Sequence, residues 1–207
     1  MNRLITFEGI DGSGKSTQVS LLCQKFENMG IRYVSIREPG STAISEMIRM
    51  ILLDKKNHDL GSESESLLFM AARAQITHEV IEPALENKKF VICDRFIDST
   101  IAYQGYGRGL NISYLNSMNQ YATRNLIPKL TFILDVNKKT SLGRRNPELS
   151  DRMESGGEEF IERVIRGYRQ LAKKHPRFRL IEGTLPVHEI FKNIWRNMTQ
   201  TFGELYE

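Results

Sequence analysis

Gly9-Ile10-Asp11-Gly12-Ser13-Gly14-Lys15-Ser16, with Thr17 behind it, fits the pattern G-x-x-x-x-G-K-[ST] without a mismatch. The chemistry served by that spacing is phosphate binding. Glycines let successive backbone N–H groups turn toward one concavity, and a lysine adds a point charge for β- and γ-phosphates. The hydroxyl after it can hold Mg²⁺. The flanks agree: apolar, β-prone Leu4-Ile5-Thr6-Phe7 reads as a buried strand, and Val19, Leu22, Cys23 and Phe26 recur as on the inner face of a helix. Strand, glycine loop and helix N-terminus in that order predict a nucleoside triphosphate site over residues 9–17.

The elements that must carry this loop alternate along the chain. A second strand is expected over 31–36, then Arg37-Glu38-Pro39-Gly40 and a helix over 44–53. Ser62 is placed to cap a long helix running to about Leu85. Phe90-Val91-Ile92-Cys93 is a third strand ending in Asp94-Arg95. A helix over 113–125, a fourth strand over 130–134, an arginine-rich polar segment over 144–157, a helix over 158–175, a fifth strand over 179–181 and a last helix over 187–202 complete the reading. The alternation predicts an α/β fold, a five-stranded parallel sheet flanked by helices with right-handed crossovers. Ligands of such sheets bind beyond the carboxyl ends of the strands, where Asp11, Lys15, Arg37, Asp94 and Arg95 fall.

The whole chain bounds the rest. Its 207 residues suit one domain with a proper core, and 40% hydrophobic and 26% charged residues are those of an ordinary globular protein. The net charge is +4, but the Lys and Arg pairs are scattered without a basic stripe, so no nucleic-acid partner is expected. Small anionic substrates account for the surplus equally well. Cys23 and Cys93 lack metal or redox spacing and read as core residues of a reducing compartment, and the four histidines show no ligand spacing. With no signal sequence and no apolar run of membrane-spanning length, a cytoplasmic protein without membrane partners is expected.

Three classes use such a loop: GTPase switches, ATP-driven machines and small-molecule kinases. There is no N-K-x-D guanine reader, and Asp94 is followed by Arg95 rather than by a glutamate that would polarise water. An arginine there suits gripping a second anion, hence an acceptor that already carries phosphate. A phosphomonoester has a second pKa of about 6, so it needs no general base. Cations that bring two polyanions together matter more.

Phe7-Glu8-Gly9-Ile10-Asp11-Gly12-Ser13-Gly14-Lys15-Ser16-Thr17-Gln18, Arg37-Glu38-Pro39-Gly40, Asp94-Arg95-Phe96 running on to Ser99 and Ala102-Tyr103-Gln104-Gly105, and Asp151-Arg152-Met153-Glu154 together resemble thymidylate kinase. The resemblance runs from residue 4 to about 170. It implies a three-layer P-loop kinase fold as one domain over 1–207, with the acceptor site within 37–104 and a mobile lid over about 142–157. It implies Mg²⁺-dependent transfer of the ATP γ-phosphate to thymidine monophosphate (dTMP) by a homodimer. By this resemblance Phe69 stacks on thymine, Arg73 bonds a carbonyl of the base, and Ser99 reads its edge. Tyr103 packs under the deoxyribose, Gln104 helps hold the nucleotide, and Arg37 and Arg95 grip the acceptor phosphate. Asp11 meets the sugar 3′-hydroxyl or a cation, and Ser16 and Asp94 serve the metal. Lys15 and Arg95 are the expected catalytic cations. Because Ser13 stands where one subtype has arginine, Arg144, Arg145 and above all Arg152 are expected to supply the lid cation. Another deoxynucleotide or a deoxynucleoside as acceptor is the alternative. One departure is Ser41, where the family commonly has glycine; a positive φ there would strain it.

Overall fold

The computed structural model describes residues 2–144, 151–153 and 157–206. Five strands form one parallel sheet in the order β2-β3-β1-β4-β5: β1 Leu4–Glu8, β2 Tyr33–Arg37, β3 Phe90–Asp94, β4 Leu130–Asp135 and β5 Phe178–Glu182. β1, β3 and β4 are buried on both faces, as their unbroken apolar runs require.

On one face α1 (Lys15–Asn28) and α9 (Val187–Thr201) close a core around Phe7, Leu22, Phe26, Phe132 and Ile194. On the other face α8 (Glu158–Ala172) packs with the segment after β3 around Tyr103, Phe160 and Val164. That segment, α5 (Ile97–Thr100) continuing as a π-helical stretch Ile101–Gly107, has no helical assignment in the sequence reading. Its apolar residues carry glycines between them, which hides the period. The glycines are needed for packing: a Cβ on Gly107 would lie 2.6 Å from the Phe160 ring, and one on Gly167 of α8 would lie 2.8 Å from the Tyr106 ring.

The predicted long helix from Ser62 is interrupted. α3 (Ser62–Ile76) passes through a π-helical turn, Thr77–Ile81, into α4 (Glu82–Glu86). The wide turn precedes Pro83, which has no N–H for a bond to Glu79 and whose ring would press on that carbonyl. Gly61, not Ser62, is the N-cap residue. α6 covers Ile112–Ala122, and α7 (Lys138–Arg144) is a short helix that ends where the expected polar segment begins.

α2 (Ala43–Leu53) reverses its apparent polarity. Thr42, its N-cap, with Ser45 and Leu52 faces inward, whereas Ile44, Met47, Met50 and Ile51 are exposed. Among the described residues, that apolar stripe belongs to none of the core clusters.

Candidate active site

The carboxyl ends of the two central neighbours, β1 and β3, build the floor. Phe7 pairs with Asp94, the Arg95 N–H donates to the Phe7 carbonyl at 2.9 Å, and the Glu38 N–H donates to the Asp94 carbonyl at 2.9 Å. The loop after β1 turns through positive φ at Gly9, Gly12 and Gly14, and Gly14 caps α1. At Gly9 no side chain fits, because a Cβ would lie 2.7 Å from the Leu134 carbonyl oxygen. Lys15 is buried and donates to the carbonyls of Gly9 and Ile10, each at 3.0 Å. Burial pulls its ammonium below the usual lysine value, and Arg95 pushes the same way. The Ser16 hydroxyl donates to Asp94 Oδ2 at 2.8 Å.

Two cavities open along this edge. The larger, about 440 Å³, is lined by Gly12, Gly14, Lys15, Ser16, Thr17 and Arg144, together with Arg37 and Asp94. The narrower, about 100 Å³, is lined by Phe69, Arg73, Ser99, Thr100, Tyr103 and Gln104, with Leu53, Asp151 and Met153 at its rim. Asp11, Glu38, Arg49 and Arg95 line both. The wide cleft admits a hydrated, charged tail, and the narrow slot selects by shape.

Arg95 stands on the shared wall with a positive φ of 70°. One nitrogen donates to Asp11 Oδ1 at 2.6 Å and to the Tyr103 hydroxyl at 3.2 Å; the other reaches the Gly9 carbonyl at 2.9 Å. Its guanidinium also lies over the Tyr103 ring, 5.0 Å from the centroid. Beneath it Glu8 is buried, accepting from the Phe96 N–H at 2.8 Å, the Ser99 hydroxyl at 2.6 Å and the Tyr168 hydroxyl at 2.9 Å. Burial, then the Asp98 carboxylate, pushes Glu8 up to about 7 against the pull of Ser99 and Arg95.

Phe69 and Arg73 share one face of α3 and both line the slot. Arg73 is fully buried, and its five N–H donors meet Glu38 twice, Thr100, Asn119 and the Phe96 carbonyl. A contact to a base from Arg73 therefore shares a donor that a protein oxygen already occupies. Arg37 lies at the cleft, half-exposed, held by both oxygens of Glu46 at 2.9 and 3.2 Å. Ser41 does adopt positive φ, 71°, and its hydroxyl accepts from the Arg37 N–H at 2.9 Å and donates to the Arg37 carbonyl at 3.2 Å.

Arg152 is buried and lines neither cavity, paired with Glu65 at 2.7 Å and donating to the Leu52 carbonyl at 2.8 Å. Arg145 lies outside the described residues. Arg144 is the member of that group found at the wide cleft, where it also donates to the Gly183 carbonyl at 2.9 Å. The sequence reading missed Arg49, Glu8, Glu38 and Tyr168. Arg49 had one signal, its place on the Thr42–Ser45–Leu52 face of a helix whose other face is apolar.

The thymidylate kinase family model matches residues 7–194. The chain belongs to the thymidylate kinase family. It is 48% identical over 192 residues to the thymidylate kinase of Kosmotoga olearia, covering 92% of each chain. It is 44% identical to that of Symbiobacterium thermophilum, covering 95% of this chain and 92% of the other. The crystal structure of thymidylate kinase from Ehrlichia chaffeensis superposes with a TM-score of 0.79 at 37% identity, over 94% of this chain and 97% of that one. The family reaction, and the reaction of this chain, is transfer of the ATP γ-phosphate to dTMP. Among the described residues no helix is long and apolar enough to cross a membrane.

Proposed function

We propose that ATP lies in the wide cleft and dTMP in the narrow slot, and that the phosphoryl group crosses the wall they share. The observation that carries this reading is the common lining of the two cavities by Asp11, Glu38, Arg49 and Arg95. The acceptor phosphate is already anionic near neutrality and needs no base. Its oxygen attacks the γ-phosphorus while ADP leaves. The obstacle is repulsion between the two anions, which Lys15 and Arg144 offset on the donor side and Arg37, Arg49 and Arg95 on the acceptor side. The base stacks on Phe69 within reach of Arg73, Ser99 and Gln104, and the sugar lies on Tyr103, which disfavours a 2′-hydroxyl.

Ser16 and Asp94 fit Mg²⁺: a hydroxyl and a carboxylate, both hard oxygen donors, meet at 2.8 Å beside the cleft. Among the described residues no cluster of three His, Cys, Asp or Glu side chains makes an all-protein cage. That suits an ion that keeps waters and phosphates as its remaining ligands. When bound, it would neutralise charge on the β- and γ-phosphates.

The reading includes a cytoplasmic homodimer. Free Cys23 and Cys93 suit a reducing compartment, and the exposed Ile44, Met47, Met50 and Ile51 of α2 suit a covered face. Sedimentation equilibrium reads the association directly, and a monomer at micromolar protein overturns it.

The activity test is an ADP-release assay with ATP, Mg²⁺ and a panel of acceptors. Rapid turnover is expected with dTMP, much slower turnover with deoxyuridine monophosphate, and essentially none with thymidine. Equal rates with thymidine would remove the case for an acceptor phosphate at Arg95.

A further inference from the structure

The narrow slot is lined in part by two pieces of chain that share one carboxylate. Glu65, on α3 four residues before Phe69, has no exposed surface. Its Oε1 accepts from Gln104 Nε2 at 2.9 Å and Arg108 Nε at 3.3 Å. Its Oε2 accepts from Arg108 Nη2 at 3.1 Å and pairs with Arg152 Nη2 at 2.7 Å. Arg152 is fastened in turn to the end of α2: its Nε donates to the Leu52 carbonyl at 2.8 Å and its backbone N–H to the Leu53 carbonyl at 3.1 Å. The neighbours of Arg152, Asp151 and Met153, line the slot, as does Gln104.

We infer that Glu65 is a positioning residue for the acceptor: it sets the width of the slot by tying Gln104 to the strap 151–153. This rests on the reading of the narrow slot as the dTMP site. Glu65 lines neither cavity itself. Two guanidinium groups converge on one buried carboxylate, so removing its charge leaves Arg108 and Arg152 facing each other uncompensated in a dry site. The strap is the piece that gives way. It reaches Glu65 by a side chain, whereas Gln104 and Arg108 belong to the packed π-helical stretch and its C-cap. Lifting the strap withdraws Asp151 and Met153 from the slot and leaves Lys15, Arg95 and the phosphate cleft in place.

The test is steady-state kinetics of Glu65→Gln on the full chain. The amide oxygen still accepts from Gln104 and Arg108, while the charge and the acceptor that faces Arg152 are lost. The KM for dTMP should rise by about tenfold or more, while the KM for ATP and kcat stay within about threefold. A dTMP KM within threefold of the parent, or dTMP and ATP KM values rising together, overturns the inference. A loss of packing would move both substrates. Should Glu65→Gln fail to fold, Arg152→Met removes the strap's side-chain tie to Glu65. The same selective rise supports the inference, and an unchanged dTMP KM overturns it. Phe69→Ala in parallel separates the two readings: if it too leaves the dTMP KM unchanged, the slot is not the acceptor site.

Discussion

Arg95 Nη2 sits 2.6 Å from Asp11 Oδ1, so the cation between the two cavities is held by a carboxylate of the phosphate loop itself. The pair fixes an arginine just after β3 against the loop after β1. It also keeps the positive charge in place, with Gly9 O and the Tyr103 hydroxyl fixing the other edges of the guanidinium.

That geometry makes Arg95→Lys a severe change despite the conserved charge. An ammonium cannot reach Asp11, Gly9 O and the Tyr103 hydroxyl while presenting a free edge to a phosphate. We expect kcat/KM for dTMP to fall by about 10²–10³ with the thermal midpoint little altered, about 3–4 kcal/mol of transition-state stabilisation. Initial rates at subsaturating dTMP read this, and a lysine variant within threefold of the parent refutes the role.

Lys15 offers the opposite balance between fold and function. It is buried, and burial lowers its pKa below 10.5, so at neutral pH the charged form is a cost to the folded state. The sign follows: folded stability rises as pH climbs from the lowered value toward 10.5, because the unfolded chain then holds more protons. Lys15→Met should abolish ADP formation with dTMP and leave the melting temperature equal or higher. Retained activity, or a marked loss of stability at pH 7, would contradict this.

Glu8 gives a dependence in a different window. Its folded pKa of about 7 lies above the unfolded value of 4.5, so the native state binds the extra proton between those limits. Stability from this group is full below 4.5 and declines as pH rises through about 7, by about 3 kcal/mol at 1.36 kcal/mol per unit. Glu8→Gln keeps an acceptor for Phe96 N–H and removes the titration. Urea unfolding of both proteins at pH 5 and pH 8 should show the variant gaining on the parent at the higher pH. Parallel curves would mean that Glu8 does not titrate in this range.

Much of this was legible in the residues, for identifiable reasons. The glycine loop and the five strands announce themselves because local chemistry dictates them: positive φ for Gly12 and Gly14, and unbroken apolar runs for strands buried on both faces. What stayed hidden depends on distance. Arg152 reads as a mobile cation until its partner Glu65, far away in sequence, is seen to bury it. Arg49 shares a helix face with Thr42, Ser45 and Leu52, but that this face rather than the apolar one turns inward is a tertiary fact. Phe69 and Arg73 are fixed on one face by spacing, yet the saturation of Arg73 by Glu38, Thr100, Asn119 and Phe96 is a tertiary fact.

Ser41 carries the last prediction, since glycine is the common family residue there and the observed φ is 71°. In the left-handed region a Cβ costs about 1–2 kcal/mol. The serine offsets this through its hydroxyl, bonded to both the N–H and the carbonyl of Arg37, each exposed bond contributing about 0.5–1.5 kcal/mol. Its backbone N–H also donates to Glu46 Oε1 at 2.7 Å, a bond that any non-proline residue keeps. Ser41→Gly therefore exchanges the hydroxyl bonds for relief of strain and should lie close to the parent. Ser41→Ala loses the bonds and keeps the strain, so it should be less stable than the glycine variant by about 1 kcal/mol, reversing the usual advantage of alanine over glycine. Denaturant midpoints of the two variants decide it: an alanine variant as stable as the glycine one would mean that the backbone at 41 relaxes out of the left-handed region and that the hydroxyl is not what holds Arg37 at the cleft.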